Sequence, residues 1–134
     1  MAYAGYLLKV GGTTLPLTYM QVESYKVTPN QRLETSAERN VNGVLMRATI
    51  AHTPSKIEFN TVHLREAELR SFMALLTGAY TSARERKLTL EFFCPDTGLY
   101  QTGAVYMPDI DFTIYSAANG DLLYAPFRVA FIEY

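Results

Sequence analysis

Short runs in which apolar and polar residues alternate, each stopped by a turn signal, confine this chain to a sheet-rich fold. The run from Lys87 to Phe93 puts Leu88, Leu90 and Phe92 on one face. Pro95-Asp96-Thr97-Gly98 then reverses the chain, because proline fixes φ and glycine reaches positive φ. Leu99 to Met107 reads as the return strand of a hairpin. Near the start, Tyr6–Val10 and Thr13–Leu17 flank Gly11-Gly12, a two-residue hairpin signal, with Pro16 weakening the second arm or making it an edge. Tyr19 to Val27 also alternates and is predicted as a strand. Val44 to Ala51, behind Asn42-Gly43, sets Val44, Met46, Ala48 and Ile50 against Leu45, Arg47, Thr49 and Ala51. After Pro54, Lys56 to Asn60 turns Ile57 and Phe59 inward. Asp109 to Tyr115 alternates Ile110, Phe112 and Ile114 against Asp109, Asp111, Thr113 and Tyr115. Asn119-Gly120 marks the next turn, and Leu122 to Tyr134 is a closing strand that Pro126 can break.

One segment has helical spacing. Leu69, Phe72, Met73 and Leu76 recur on one face with Arg65, Glu66, Glu68 and Arg70 between them. Asn60 or Thr61 can cap its start and Gly78 its end, which predicts a helix over 63–77. About eight strands in neighbouring hairpins favour antiparallel pairing. A single helix cannot cover both faces of a large sheet. The predicted class is therefore mainly β (α+β), an antiparallel β-sandwich or partly closed barrel with one flanking α-helix. With 134 residues, 49% of them hydrophobic and 19% charged, the chain is expected to form one domain over 1–134 and is not a disordered sequence. Tyr (10) and Phe (7) supply the aromatics that strands favour.

Residues 28–42 break the pattern. Leu33, Ala37 and Val41 are the apolar members of a stretch dominated by Asn, Gln, Thr, Ser, Glu and Arg. Such a segment buries little, and it is longer than an ordinary connection. Arginine and amide side chains suit interfaces, so a long polar arm loop is expected here, carrying Arg32, Arg39, Asn40 and Asn42, with Arg47 just beyond it. A mobile surface loop accounts for the composition equally well.

Signals for chemistry are weak. His52 and His63 match no compact zinc spacing, and one cysteine makes neither a disulfide nor a thiolate-rich site. Cys94 reads as a small buried hydrophobe rather than a nucleophile. Asp109 and Asp111 share a predicted strand face, but acids at that spacing are usually its solvated side rather than a catalytic pair. Gly11-Gly12 lacks the lysine of a phosphate loop. No catalytic residue, cofactor or metal is expected. A formal net charge of -1 with no basic run argues against a protein held mainly by nucleic-acid phosphates. No run approaches the ~20 apolar residues of a membrane span. No signal peptide is recognised, so a cytoplasmic product is expected.

The order of elements carries a resemblance. The arm leads into Ala37-Glu38-Arg39-Asn40-Val41-Asn42-Gly43-Val44-Leu45-Met46-Arg47, and a strand ends Lys56-Ile57-Glu58-Phe59. A helix with Glu66-Ala67-Glu68-Leu69 follows, then a Tyr/Phe-rich hairpin and the closing Phe127-Arg128-Val129-Ala130-Phe131-Ile132-Glu133-Tyr134. This resembles small proteins from the tail-assembly region of phages and prophages of Gram-positive bacteria, and the layout is similar to the tail-tube and distal-tail fold. The resemblance implies a non-enzymatic structural subunit of a virion tail, assembled in the bacterial host cytoplasm. Its implied partners are its own copies in a hexameric ring, and other tail proteins. DNA would pass through without specific binding. Residues 28–42 would then be the inter-subunit arm, and Asp109 and Asp111 would line the channel, where acidic groups repel phosphates. A head–tail connector or tail-end adaptor would look much the same. The rival from another class is a monomeric carbohydrate-binding sandwich that uses Tyr100, Tyr106 and Tyr115 as stacking platforms.

Overall fold

The structure, a computed structural model, describes residues 3–31, 34–49 and 53–134; of 34–36, 48 and 49 it describes only the backbone. In chain order the strands are β1 (Leu8–Val10), β2 (Thr13–Thr14), β3 (Lys26–Thr28), β4 (Glu34–Arg39), β5 (Leu45–Thr49), β6 (Lys56–Asn60) and β7 (Leu64–Arg65). Helix α1 (Glu66–Thr77) follows, then β8 (Tyr80–Ser82), β9 (Lys87–Cys94), β10 (Leu99–Tyr106), β11 (Ile114–Ser116), β12 (Leu123–Tyr124) and β13 (Arg128–Glu133). The protein is mainly β with antiparallel sheets, one flanking helix and no closed barrel.

The main sheet has the order β2-β1-β9-β10-β13-β6-β3, with β8 on the same edge of β9 as β1. Its spine is the β9–β10 hairpin, paired from Cys94↔Leu99 to Lys87↔Tyr106. The turn at Pro95–Gly98 closes with the Gly98 N–H donating to the Cys94 carbonyl (2.9 Å), and Gly98 has φ +71°. By contrast β10 meets β13 at only two residue pairs, Val105↔Glu133 and Tyr106↔Ile132. This narrow junction divides the sheet into a β1-β9-β10 half and a β13-β6-β3 half. The hydroxyl of Tyr25, just before β3, donates to the Phe93 carbonyl in β9 (2.9 Å). The far edge of one half thus comes back to the other, and the alternating apolar faces enclose a common core of Leu8, Leu90, Phe92, Ile57, Phe59 and Phe131.

The helix closes that core with Leu69, Phe72 and Leu76, all buried. Phe72 packs against Tyr19 (ring centroids 5.4 Å apart) and Phe127 (6.1 Å). The predicted helix began three residues too early. Leu64–Arg65 extends as β7 and pairs with β12, and the Glu68 carboxylate accepts the Arg65 N–H (3.0 Å), which fixes the start at Glu66. Gly78 does end the helix, though in right-handed conformation (φ −68°). A side chain there would press on the Ala74 carbonyl, with a Cβ 3.0 Å from that oxygen.

Two predicted strands are corrected. Tyr19–Val27 is not one strand but two single helical turns, Leu17–Tyr19 and Val22–Ser24, followed by the three-residue β3. The Ser24 hydroxyl donates to the Gln21 carbonyl, a local bond that competes with the strand ladder. Asp109 to Tyr115 is irregular up to Thr113, and only Ile114–Ser116 is strand, in a three-stranded sheet of order β11-β12-β7. The Gly11-Gly12 hairpin and the break at Pro126, between β12 and β13, agree with the prediction.

Candidate assembly surface

The segment read as a polar arm is half of a β-hairpin. β4 and β5 pair with each other in the register Arg39↔Leu45, Glu38↔Met46, Ala37↔Arg47 and Ser36↔Ala48, with a bulge before Glu34↔Thr49. They join no other described strand and form a two-stranded sheet of their own. The arm therefore runs to Thr49, past the 28–42 boundary drawn from polarity. The strand predicted at Val44–Ala51 is found as β5 from Leu45 to Thr49, in the hairpin and not in the main sheet. Val44, Leu45 and Met46 are exposed, and Val41 at the tip is fully so. Ile50, Ala51 and His52 lie outside the described residues.

The tip is built by its own polar residues. The Asn40 N–H donates to the Val44 carbonyl (2.9 Å) and the Gly43 N–H to the Asn40 carbonyl (2.9 Å). Asn40 Oδ1 accepts the N–H groups of Asn42 and Val44, each at 3.0 Å. Arg39 Nη1 donates to the Gly43 carbonyl (2.9 Å), and Gly43 takes the positive φ (+78°) that the turn requires. Arg39 and Asn40, selected from sequence as contacts to a neighbour, thus make hydrogen bonds that shape the tip. Asn42 lies in the turn and Arg47 is exposed on β5. Arg32 lies outside the described residues.

The root is anchored where the sequence gives no sign. The Asn30 N–H donates to the hydroxyl of buried Ser55 (2.9 Å), and the Gln31 N–H to the Pro54 carbonyl (2.8 Å). Ser55 in turn gives its N–H to Glu133 Oε1 (2.9 Å), while the Glu133 N–H returns to the Ser55 carbonyl (3.0 Å). The Glu133 carboxylate fits there because residue 103 is glycine: a Cβ on Gly103 would stand 2.3 Å from Glu133 Oε2. Gly103→Ala should push the carboxylate off Ser55 and leave a buried N–H unpaired, at a cost of ~1–3 kcal/mol. Urea denaturation measures that loss, and amide exchange at Ser55 shows whether the root is where it occurs.

The remaining candidates are dispersed. Asp109 pairs with Arg86, and Asp111 is exposed in the irregular stretch, so the two do not share a strand face and the alternation behind the channel-lining expectation is absent. Tyr100 stacks on Tyr6 (4.6 Å) and donates to its carbonyl (2.6 Å), while Tyr106 meets Tyr134 edge-on (5.5 Å). Both rings already have partners, and they sit at opposite ends of β10. Tyr115 is exposed on another sheet, edge-on to His63 (5.0 Å). The three tyrosines form no single platform. Burial pushes the Cys94 thiol up to about 11, which makes it a poor nucleophile. Among the described residues no group of three His, Cys, Asp or Glu side chains could hold a metal ion, and no helix is long and apolar enough to cross a membrane.

A family model described as a family of unknown function (DUF6711) matches residues 1–134. No curated protein matches the chain significantly. Two solved structures share its fold over 99% of this chain and 95% of theirs. One is the tail of an empty gene transfer agent (GTA) particle with C6 symmetry, at 16% identity and a TM-score of 0.54. The other is the virion of a native gene transfer agent particle, at 15% identity and a TM-score of 0.51.

Proposed function

We propose, for a chain that belongs to the DUF6711 family of unknown function, a structural role in the tail of a phage or phage-like particle, as a subunit that assembles with its own copies into a ring. The hairpin carries this reading. An isolated two-stranded sheet is marginal in water, and one that also exposes Val41, Val44, Leu45 and Met46 has unmet apolar surface. Burying that surface against another subunit accounts for both features. The likeness to a C6-symmetric particle tail, end to end in both chains, supports a ring of six. A tail tube and a distal ring at the tail end are the two forms it could take. The same likeness favours a virion location and non-enzymatic work over sugar binding, for which the three tyrosines provide no common surface.

Negative-stain electron microscopy of the purified full-length chain across a concentration series tests the proposal. Rings of uniform diameter with a central hole, alone or stacked, are expected. A monomer at every concentration, together with binding to a defined glycan, would replace it with the carbohydrate-binding reading.

A further inference from the structure

Apart from the hairpin, a second run of exposed apolar side chains stands on β11 and just before it, where Phe112 meets Phe127 edge-on (5.0 Å). Phe112, Ile114 and Tyr115 are 45%, 54% and 68% exposed. The other large apolar side chains exposed among the described residues, such as Val22 and Leu99, are scattered singly. β11, which carries Ile114 and Tyr115, is an edge strand: β12 pairs along one side of it, and no described strand along the other. A bulge between Ile114 and Ser116 shifts its register at Tyr115.

The charges of the two surfaces are opposite. The distal half of the hairpin, residues 37–47, carries Arg39 and Arg47 against one acid, Glu38, which stands opposite Met46, whereas residues 109–121 contain three aspartates and no base. Within the chain Asp109 is taken by Arg86 and Asp121 by Arg65. Asp111, exposed and next to Phe112, makes no ion pair among the described residues.

We infer that the edge formed by Phe112, Ile114 and Tyr115 is the seat for the distal half of the hairpin of a second copy, with Asp111 facing that copy's arginines. The inference rests on the assembly reading above and names the surface that reading leaves open. Two different patches on one chain that fit each other make a head-to-tail contact, and such a contact closes into a ring when its rotation divides a full turn. Edge strands on both sides also allow backbone pairing between copies. The apolar faces supply the burial energy, and the opposite charges fix which surface meets which.

Mixing two variants of the full-length chain that each add one exposed cysteine, Val44→Cys and Tyr115→Cys, with a short bis-maleimide tests the seat. Both positions are exposed, and buried Cys94 leaves little background. A covalent dimer is expected from the mixture and not from either variant alone. Asp111→Arg should raise the concentration at which assembly begins about tenfold or more, with an unchanged circular dichroism spectrum. Val44→Cys linking to itself would overturn the seat, since the hairpins would then meet each other. So would normal assembly with no link at all, which would place the hairpin elsewhere, on another face or another tail protein, and leave the assembly reading standing. If the unaltered chain shows no assembly at any concentration, the seat and the proposed function fail together.

Discussion

Replacing Glu34–Thr49 with a short Gly-Ser linker should leave a folded, monomeric protein that no longer forms rings. The described core residues of both halves of the main sheet and of the helix all lie outside this segment. The root bonds from Asn30 to Ser55 and from Gln31 to Pro54 also remain, which keeps the linker short. Loop closure varies slowly with length, so the expected change in unfolding free energy is within ~1 kcal/mol. Assembly, by contrast, should weaken at least a hundredfold, since removing the hairpin removes four exposed apolar side chains at once. Sedimentation velocity reads the association, and urea denaturation of the same sample reads the fold. Unfolding of the deletion variant would show that the hairpin belongs to the core of its own chain.

The largest loss of stability is expected from Phe72→Ala. Phe72 is fully buried at the centre of the helix face, between Tyr19 and Phe127. Those partners belong to the helical turn Leu17–Tyr19 and to the lead-in of β13, so the site cannot collapse without moving three separate segments. A cavity of this kind costs ~3–5 kcal/mol, a large share of the 5–15 kcal/mol that holds an ordinary domain folded. Phe72→Leu keeps most of the volume and should cost less than ~1.5 kcal/mol. Urea midpoints of the two variants give the comparison. Equal, small losses in both would mean that the helix does not close the core.

How much of this the sequence could disclose depended on the range of the interaction. The β1–β2 and β9–β10 hairpins were legible because turn chemistry and alternation lie within a few residues of each other, as Gly11-Gly12 and Pro95–Gly98 show. The helix was legible from Leu69, Phe72 and Leu76, but its start was not. Arg65 could be recognised as strand only through its pairing with Leu123, far along the chain. Alternation misled at Tyr19–Val27 and Asp109–Thr113, where local bonds and tertiary packing set the backbone. At Val44–Thr49 it predicted the strand correctly, yet it is silent on whether an apolar face meets its own core or another molecule. Polarity marked residues 28–42 as unusual but missed the second strand of the hairpin, whose apolar content resembles that of a core strand. The Ser55–Glu133–Gly103 anchor was invisible for the same reason as the helix start: its members are adjacent only after folding. No short motif could have revealed it.

In the proposed ring the hairpin gains its burial from another subunit rather than from its own chain. Hydrogen–deuterium exchange of residues 41–47, measured on dilute monomer and on assembled rings of the full-length protein, tests this most directly. Fast exchange in the monomer and strong protection in the ring are the predicted result. Protection already complete in the monomer would mean that the hairpin packs on its own chain, and fast exchange that persists in the ring would mean that no subunit covers it.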